Sequence, residues 1–299
     1  MKSATPSVLA HLERAQNPDG GWGYRVGGAS WMEPTFWAWV ALRGHADRAV
    51  GDRAWVYMRT LRREDGGVAP AASVRASSWV TSLWITAHVV AGKWDPEAEA
   101  ALDWLLKARG AEGKAWRRAV ERIRGKAGYD PEFYGWSWFP ETSSWLEPTA
   151  HALVALKLAA AGPVRRRAEE IGERVRLGER MLLDRRCEDG AWNYGARIAL
   201  DEPLPSYPEC TGQALYALQR RWEITPALLD GFRERWNAAR SPMARAWLAL
   251  GFRLNGAAPP EWPAGVDAGS RDTSVRAIAA IAAAGGNFGL LAPGGRKDG

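Results

Sequence analysis

One turn is written into this chain several times over. Gln16-Asn17-Pro18-Asp19-Gly20-Gly21-Trp22-Gly23-Tyr24 is followed by Ser30-Trp31-Met32-Glu33-Pro34-Thr35. A second copy reads Gly135-Trp136-Ser137-Trp138, then Ser144-Trp145-Leu146-Glu147-Pro148-Thr149. A third reads Asp189-Gly190-Ala191-Trp192-Asn193-Tyr194, then Ser206-Tyr207-Pro208-Glu209-Cys210-Thr211. Glu33 and Glu147 each lie eleven residues past the turn tryptophan, so both residue type and spacing are kept. Asp65-Gly66-Gly67-Val68 before Ser78-Trp79-Val80-Thr81 is a fainter copy, and Ser241-Pro242-Met243 and Asp272-Thr273-Ser274 open two more apolar segments. A repeat of this kind fixes the architecture before any single residue is interpreted. Aligned on the turns, one slot holds Glu33, Thr81, Glu147, Glu209, Ser241 and Asp272 in turn, giving six repeats, enough to close a ring.

Each turn joins two unlike helices. Before it, apolar residues recur at helical spacing with charges between them, as in Val8-Leu9-Leu12-Ala15 and Ala54-Trp55-Met58-Leu61. That pattern marks half-exposed helices. After it come segments with few charges, over 35–42, 82–91, 149–156, 211–218, 243–252 and 275–284. A helix that is apolar nearly all round is buried. The expected fold is therefore all-α: an α/α toroid of six hairpins, inner helices inside an outer ring. A single domain spans 1–285, with an insertion at 109–134 and a disordered tail at 286–299. The outer helices near 225–239 and 259–268 carry the weakest signal. A residue before proline avoids the helical region, so two inner helices are expected to start at Pro34 and Pro148, with Glu33 and Glu147 just outside. Ser-x-x-Glu, which occurs three times, is a capping-box pattern, and it stands for Glu209.

The Gln-x-x-Asp-Gly-Gly-Trp turn, complete at Gln16 to Trp22 and partial at Arg62 to Val68 and Arg186 to Trp192, resembles the QW-type repeats of the terpenoid cyclase and protein prenyltransferase superfamily. The resemblance covers about residues 5–285 and implies an α/α toroid whose catalytic groups lie at the ends of inner helices, just past the turns. It implies an apolar, isoprenoid-type ligand in a central cavity. Two departures stand against it. The acid motif Asp-x-Asp-Asp-Thr of the hopene-forming cyclases is reduced to Arg271-Asp272-Thr273. The zinc set of the prenyltransferases is lacking, since Cys210 adjoins Glu209 and no histidine follows His151. No metal and no cofactor are expected.

The residues themselves point to the same end of the ring. Parallel inner helices bring Glu33, Glu147, Glu209 and Asp272 to one rim, with Trp31, Trp79, Trp145 and Tyr207 two positions before their slots and Trp37 further along. Tryptophan is the outlying number of the composition, 18 in 299 residues. Aromatic walls with a few converging polar groups describe a ligand pocket, and aromatic faces stabilise cations. Several carboxylates on one rim cannot all ionise cheaply, so one is held protonated or a cation sits among them. Glu147 and His151, four apart, share a helix face and form a candidate acid–base pair that His88 can approach. Candidate catalytic residues are thus Glu33, Glu147, His151, Asp272 and Glu209; candidate substrate-binding residues are Trp31, Trp37, Trp79, Trp145 and Tyr207. Three functions follow: an isoprenoid-binding toroid that protonates or isomerises its ligand, a sugar-active barrel using an acid pair, and a non-catalytic scaffold with a cavity filled by its own side chains.

Net charge is +6. The segment 114–124 forms a basic amphipathic helix, a candidate contact for anionic lipid or an acidic partner; the plainer expectation rests its apolar stripe on the barrel. No binding motif accompanies the charge, so nucleic acid is not expected. With no signal-like stretch or apolar run of ~20 residues and two cysteines, a cytoplasmic location is expected.

Overall fold

The computed structural model of the chain describes residues 4–124, 128–199, 201–259, 270–284 and 288–290. Its helices are α1 (Ala4–Arg14), α2 (Met32–Leu42), α3 (Arg48–Thr60), α4 (Thr81–Ala91), α5 (Pro96–Lys107), α6 (Ala115–Arg124), α7 (Leu146–Ala161), α8 (Ala168–Asp184), α9 (Pro208–Ala217), α10 (Pro226–Ala238), α11 (Pro242–Leu254) and α12 (Thr273–Ala284). Six of them, α2, α4, α7, α9, α11 and α12, pack each on the next, and α12 closes onto α2. Outside this ring α1 lies against α12, α3 against α2, α5 against α4, α8 against α7 and α10 against α11. This is the α/α toroid that the repeat requires. The helix expected near 259–268 lies, but for residue 259, outside the described residues.

The turns show why the motif recurs. Gly20 and Gly66 have φ of +89° and +86°, and a Cβ at Gly20 would stand 2.4 Å from the Arg53 carbonyl oxygen. Glycine is the residue that meets both demands. The preceding Asp19 and Asp65 each accept the N–H two residues on (3.0 and 2.9 Å) and the hydroxyls of Ser30 and Ser77 (2.8 and 2.6 Å). Trp22, Trp136 and Trp192 are buried, and their indole N–H groups donate to Leu12 O, Leu105 O and Leu182 O at 2.7–2.9 Å. Each thereby bonds a carbonyl in the last turns of an outer helix, where helix carbonyls lack their full set of internal donors. The main-chain N–H at each turn donates to a buried threonine on the inner helix: Trp22 to Thr35, Val68 to Thr81, Trp136 to Thr149 and Trp192 to Thr211, at 2.9, 2.9, 3.0 and 3.4 Å.

These bonds correct the alignment at one position. Thr81 is the equivalent of Thr35, not of Glu33, so the second repeat brings no carboxylate to the rim. The capping boxes do not form either. Trp31, Trp145 and Tyr207 are the N-caps of α2, α7 and α9 and make no side-chain cap bond, because Ser30 and Ser206 are committed to Asp19 and Asp189. Nor do α2 and α7 start at their prolines. Each starts two residues earlier, with Glu33 and Glu147 inside the first turn. The first N–H groups of a helix lack internal acceptors, so Pro34 and Pro148 forfeit no helix bond as third residues. The first N–H of α2 instead crosses to the next repeat, Met32 to Pro70 O (2.8 Å), as Leu146 does to Tyr194 O (2.9 Å) and Thr273 to Tyr24 O (2.8 Å), which ties the last repeat to the first.

The third repeat has no aspartate in its turn. Glu112, from the insertion, accepts the Ser144 N–H in its place and is neutralised by Arg185 at 2.7 Å, both side chains buried. In α6, Trp116 and Ile123 are 61% and 86% exposed, so the apolar stripe does not rest on the barrel as expected. The tail expectation needs a correction at 288–290: Leu290 is buried and its carbonyl accepts the Gln219 amide at 3.1 Å. The rest of 286–299 lies outside the described residues. Among those residues, no helix is long and apolar enough to cross a membrane.

Candidate functional site

The axis of the ring is packed. Trp37 from α2, His151 from α7, Tyr216 from α9 and Trp247 from α11 meet there with ring centroids 5.4–6.3 Å apart, all of them buried. These are the separations of edge and tilted aromatic packing. Trp79 covers His151 at 5.0 Å. Trp37 and His151, expected as substrate-binding and catalytic residues, are therefore part of this packed plug. Burial holds His151 down at about 3, so its imidazole is neutral, and neither ring nitrogen has a hydrogen-bond partner among the described residues.

Above this plug a half-open cavity of about 280 Å³ remains, walled by Tyr24, Trp31, Trp79, Trp138 and Phe139 with Glu33, Glu147 and Asp272 among its lining residues. Three of the expected acids are thus brought together with two of the expected aromatics. Glu33 and Glu147 sit one residue inside the N-termini of α2 and α7. Asp272 lies just before α12 and accepts the Val275 N–H at 3.1 Å. Glu209 stands aside, bonded to the Tyr194 hydroxyl at 3.0 Å. Trp145 and Tyr207 are exposed at the rim, outside the cavity lining.

The carboxylates are unlike one another. Both Glu33 and Glu147 keep some surface in the cavity, yet protein surrounds them closely. Burial pushes Glu33 up to about 7; the charge of Asp272 adds to this, while the Tyr24 hydroxyl, donating at 2.6 Å, opposes it. Burial also raises Glu147 well above the usual range, followed by the charge of Glu33, against a favourable bond from Gln213. The pair therefore retains a proton near neutral pH: the cost of taking the carboxylates out of water, increased by the neighbouring negative charges, exceeds what Tyr24 and Gln213 return.

Sequence reasoning missed Tyr24, Trp138, Phe139 and Gln213. The signal for two of them was present. Tyr24, Trp138 and Tyr194 all occupy the second position after a turn tryptophan, and two of the three bond the glutamate of their own repeat. Cys210 is not an activated thiol, since burial, then the charges of Glu209 and Glu147, push it up. His88 does not approach Glu147; it packs on Trp84 and Trp55 and faces Asp95 at 3.4 Å. With Glu97 this makes a group of metal-ligating side chains. However, Glu97 is clamped by Arg59 and Arg62, and Asp95 caps α5 through two N–H bonds of 3.0 Å. Those oxygens are already engaged, and the group reads as a helix cap.

No family model matches the chain, and no curated protein matches it. Solved structures do. It is similar to an α-amylase from Clostridium perfringens (TM-score 0.62, 11% identity, 96% of each chain). It is also similar to an endoglucanase, a family 8 glycosyl hydrolase, from Klebsiella pneumoniae (TM-score 0.59, 16% identity, 93% of this chain and 99% of that one). A third likeness is to an α-1,6-mannanase of a Salegentibacter species (TM-score 0.54, 11% identity, 96% and 99%). At these identities the likeness establishes the toroid. It also overturns the expected identity as a terpenoid cyclase or prenyltransferase and the expected apolar isoprenoid partner, because these neighbours are sugar-active toroids. The filled axis agrees: Trp37, Tyr216, Trp247 and His151 occupy the space an apolar guest would need.

Proposed function

We propose that the rim cavity binds carbohydrate and that the chain cleaves glycosidic bonds. The observation that carries this reading is the convergence of Glu33, Glu147 and Asp272 on one half-open, indole-walled cavity. Glycosidic hydrolysis needs one carboxyl that holds a proton and one that is charged. Glu147 is the proton donor, kept protonated by burial and by Glu33. It protonates the bridging oxygen as the bond from that oxygen to the anomeric carbon breaks. Asp272, at the N-terminus of α12 where the helix dipole favours negative charge, is the base. It takes a proton from the water whose oxygen bonds to that carbon, and the proton passes back to Glu147 between turnovers. Glu33, held by Tyr24, keeps the proton on Glu147, and Trp31, Trp79 and Trp138 offer faces on which sugar rings stack.

The packed axis favours a second reading, a non-catalytic toroid that binds glycan without cleaving it. Reducing-sugar release from cellulosic, starch and α-1,6-mannan substrates separates the two. Release by wild type, lost at least a hundredfold in both Glu147→Gln and Asp272→Asn, supports the hydrolase. Binding without release supports the second reading. Neither binding nor release on any substrate sinks the carbohydrate proposal.

A further inference from the structure

The rim cavity has a larger neighbour. A cavity of about 670 Å³ opens beside it between the second and third repeats, and Trp79 and Trp138 line both. A further opening of about 560 Å³ shares Glu64, Asp65 and Pro140 with the larger one. The rim cavity alone is at the bottom of the ~300–1,000 Å³ range of small-molecule pockets. The carboxylates therefore sit at a small chamber that adjoins a larger space across a single pair of indoles.

That pair is rigid. Trp79 and Trp138 pack edge to face at 5.2 Å, and the main-chain N–H of Trp79 donates to the main-chain carbonyl of Trp138 at 3.3 Å. A second indole stands in the larger cavity: Trp104, on α5, is fixed by its N–H bond to Asp65 at 3.0 Å. Asp65 is itself held by the Gly67 N–H and the Ser77 hydroxyl. A side chain locked in this way offers a flat face at little further ordering cost. The insertion supplies the far wall with Ala111 and Lys114. Four acidic and three basic side chains line this space, among them Glu64, Lys107 and Arg109, so its charge is nearly balanced.

We infer that the two cavities form one trough, with Trp138 as the saddle and Trp104 as a stacking platform, and that the ligand is an uncharged glycan chain extending from the carboxylates across the saddle. This rests on the carbohydrate reading of the rim and adds a polymer to it. A ligand confined to the rim chamber would have no use for a fixed indole beyond the saddle, and a polyanion would meet more carboxylates than cations.

Isothermal titration of Glu147→Gln protein with oligosaccharides of two and six units checks this, using β-1,4-gluco, α-1,4-gluco and α-1,6-manno series. The six-unit ligand of the binding series should bind at least tenfold tighter than the two-unit one. Adding Trp104→Ala should remove that advantage while leaving the two-unit affinity within twofold. Ala100→Trp, which fills the larger cavity from an exposed position and leaves the core intact, should do the same. Sugars that bind with no length dependence, or a length advantage that survives Ala100→Trp, would overturn the trough and leave the rim site standing. If no series binds, the carbohydrate reading falls and the trough with it.

Discussion

Replacing Glu33 by glutamine should make the protein more stable, and only at neutral and alkaline pH. In the unfolded chain Glu33 titrates near 4.5; in the fold, burial and the charge of Asp272 move it to about 7. Below both values the group is protonated in either state and contributes no pH dependence. Between them the folded state binds the extra proton, so stability falls as pH rises. Above about 7 the loss is complete, and it approaches ~3 kcal/mol at ~1.4 kcal/mol for each tenfold change in proton affinity. The amide of the Glu33→Gln variant carries no charge at any pH, fills the same space and still accepts from Tyr24. It also removes the repulsion that raises Glu147, which acts in the same direction. For a chain of this size an unfolding entropy of ~2 cal/mol/K per residue converts ~3 kcal/mol into ~5 °C. Calorimetry of wild type and Glu33→Gln at pH 4, 6 and 8 should show melting temperatures that coincide at pH 4 and separate by up to ~5 °C at pH 8, the variant being higher. A gap that does not change with pH, or a variant less stable at pH 8, would refute the assignment of Glu33 as a carboxyl whose proton affinity its surroundings raise to about 7.

Two further outcomes test the ring itself. Thr149→Val keeps the shape of the side chain but leaves the buried Trp136 N–H without its 3.0 Å acceptor; urea unfolding should show a loss of ~1–3 kcal/mol, which Thr149→Ser restores. His151→Phe removes two unpartnered ring nitrogens from the axis; since burial holds His151 at about 3, wild type loses stability as pH falls below ~6.5, and the variant should hold its fold to lower pH when circular dichroism is followed in an acid titration. An unchanged acid midpoint would count against a neutral, buried His151.

Which inner-helix residues face the axis has no local signature in the sequence. The contrast between charged and uncharged helical segments marked outer and inner helices, and α2 and α7 are buried along nearly their whole length, as that contrast requires. The rotation of those helices was not marked. On α2, Trp37 points to the axis, where Trp247 and His151 meet it, while Trp39 turns to Trp55 at 6.0 Å. On a helix apolar all round, no polar face says which indole is which. The same silence hid the plug that fills the axis and leaves the cavity beside Glu33, Glu147 and Asp272 at the rim of the ring.

What the sequence determined by itself was the repeat: the glycines that permit the turn, the tryptophan that closes it, the threonine that receives its N–H, and with them a ring of inner and outer helices. These follow from spacings within one hairpin, and such spacings are local. Tertiary structure alone decided that Ser30 serves Asp19 rather than a helix cap, and that Glu33, Glu147 and Asp272 share a cavity from which Glu209 is absent. Each of those outcomes depends on groups from different repeats, or from the two ends of one turn, arriving at the same point. Closure of the ring, sealed where Thr273 bonds Tyr24, brings them there.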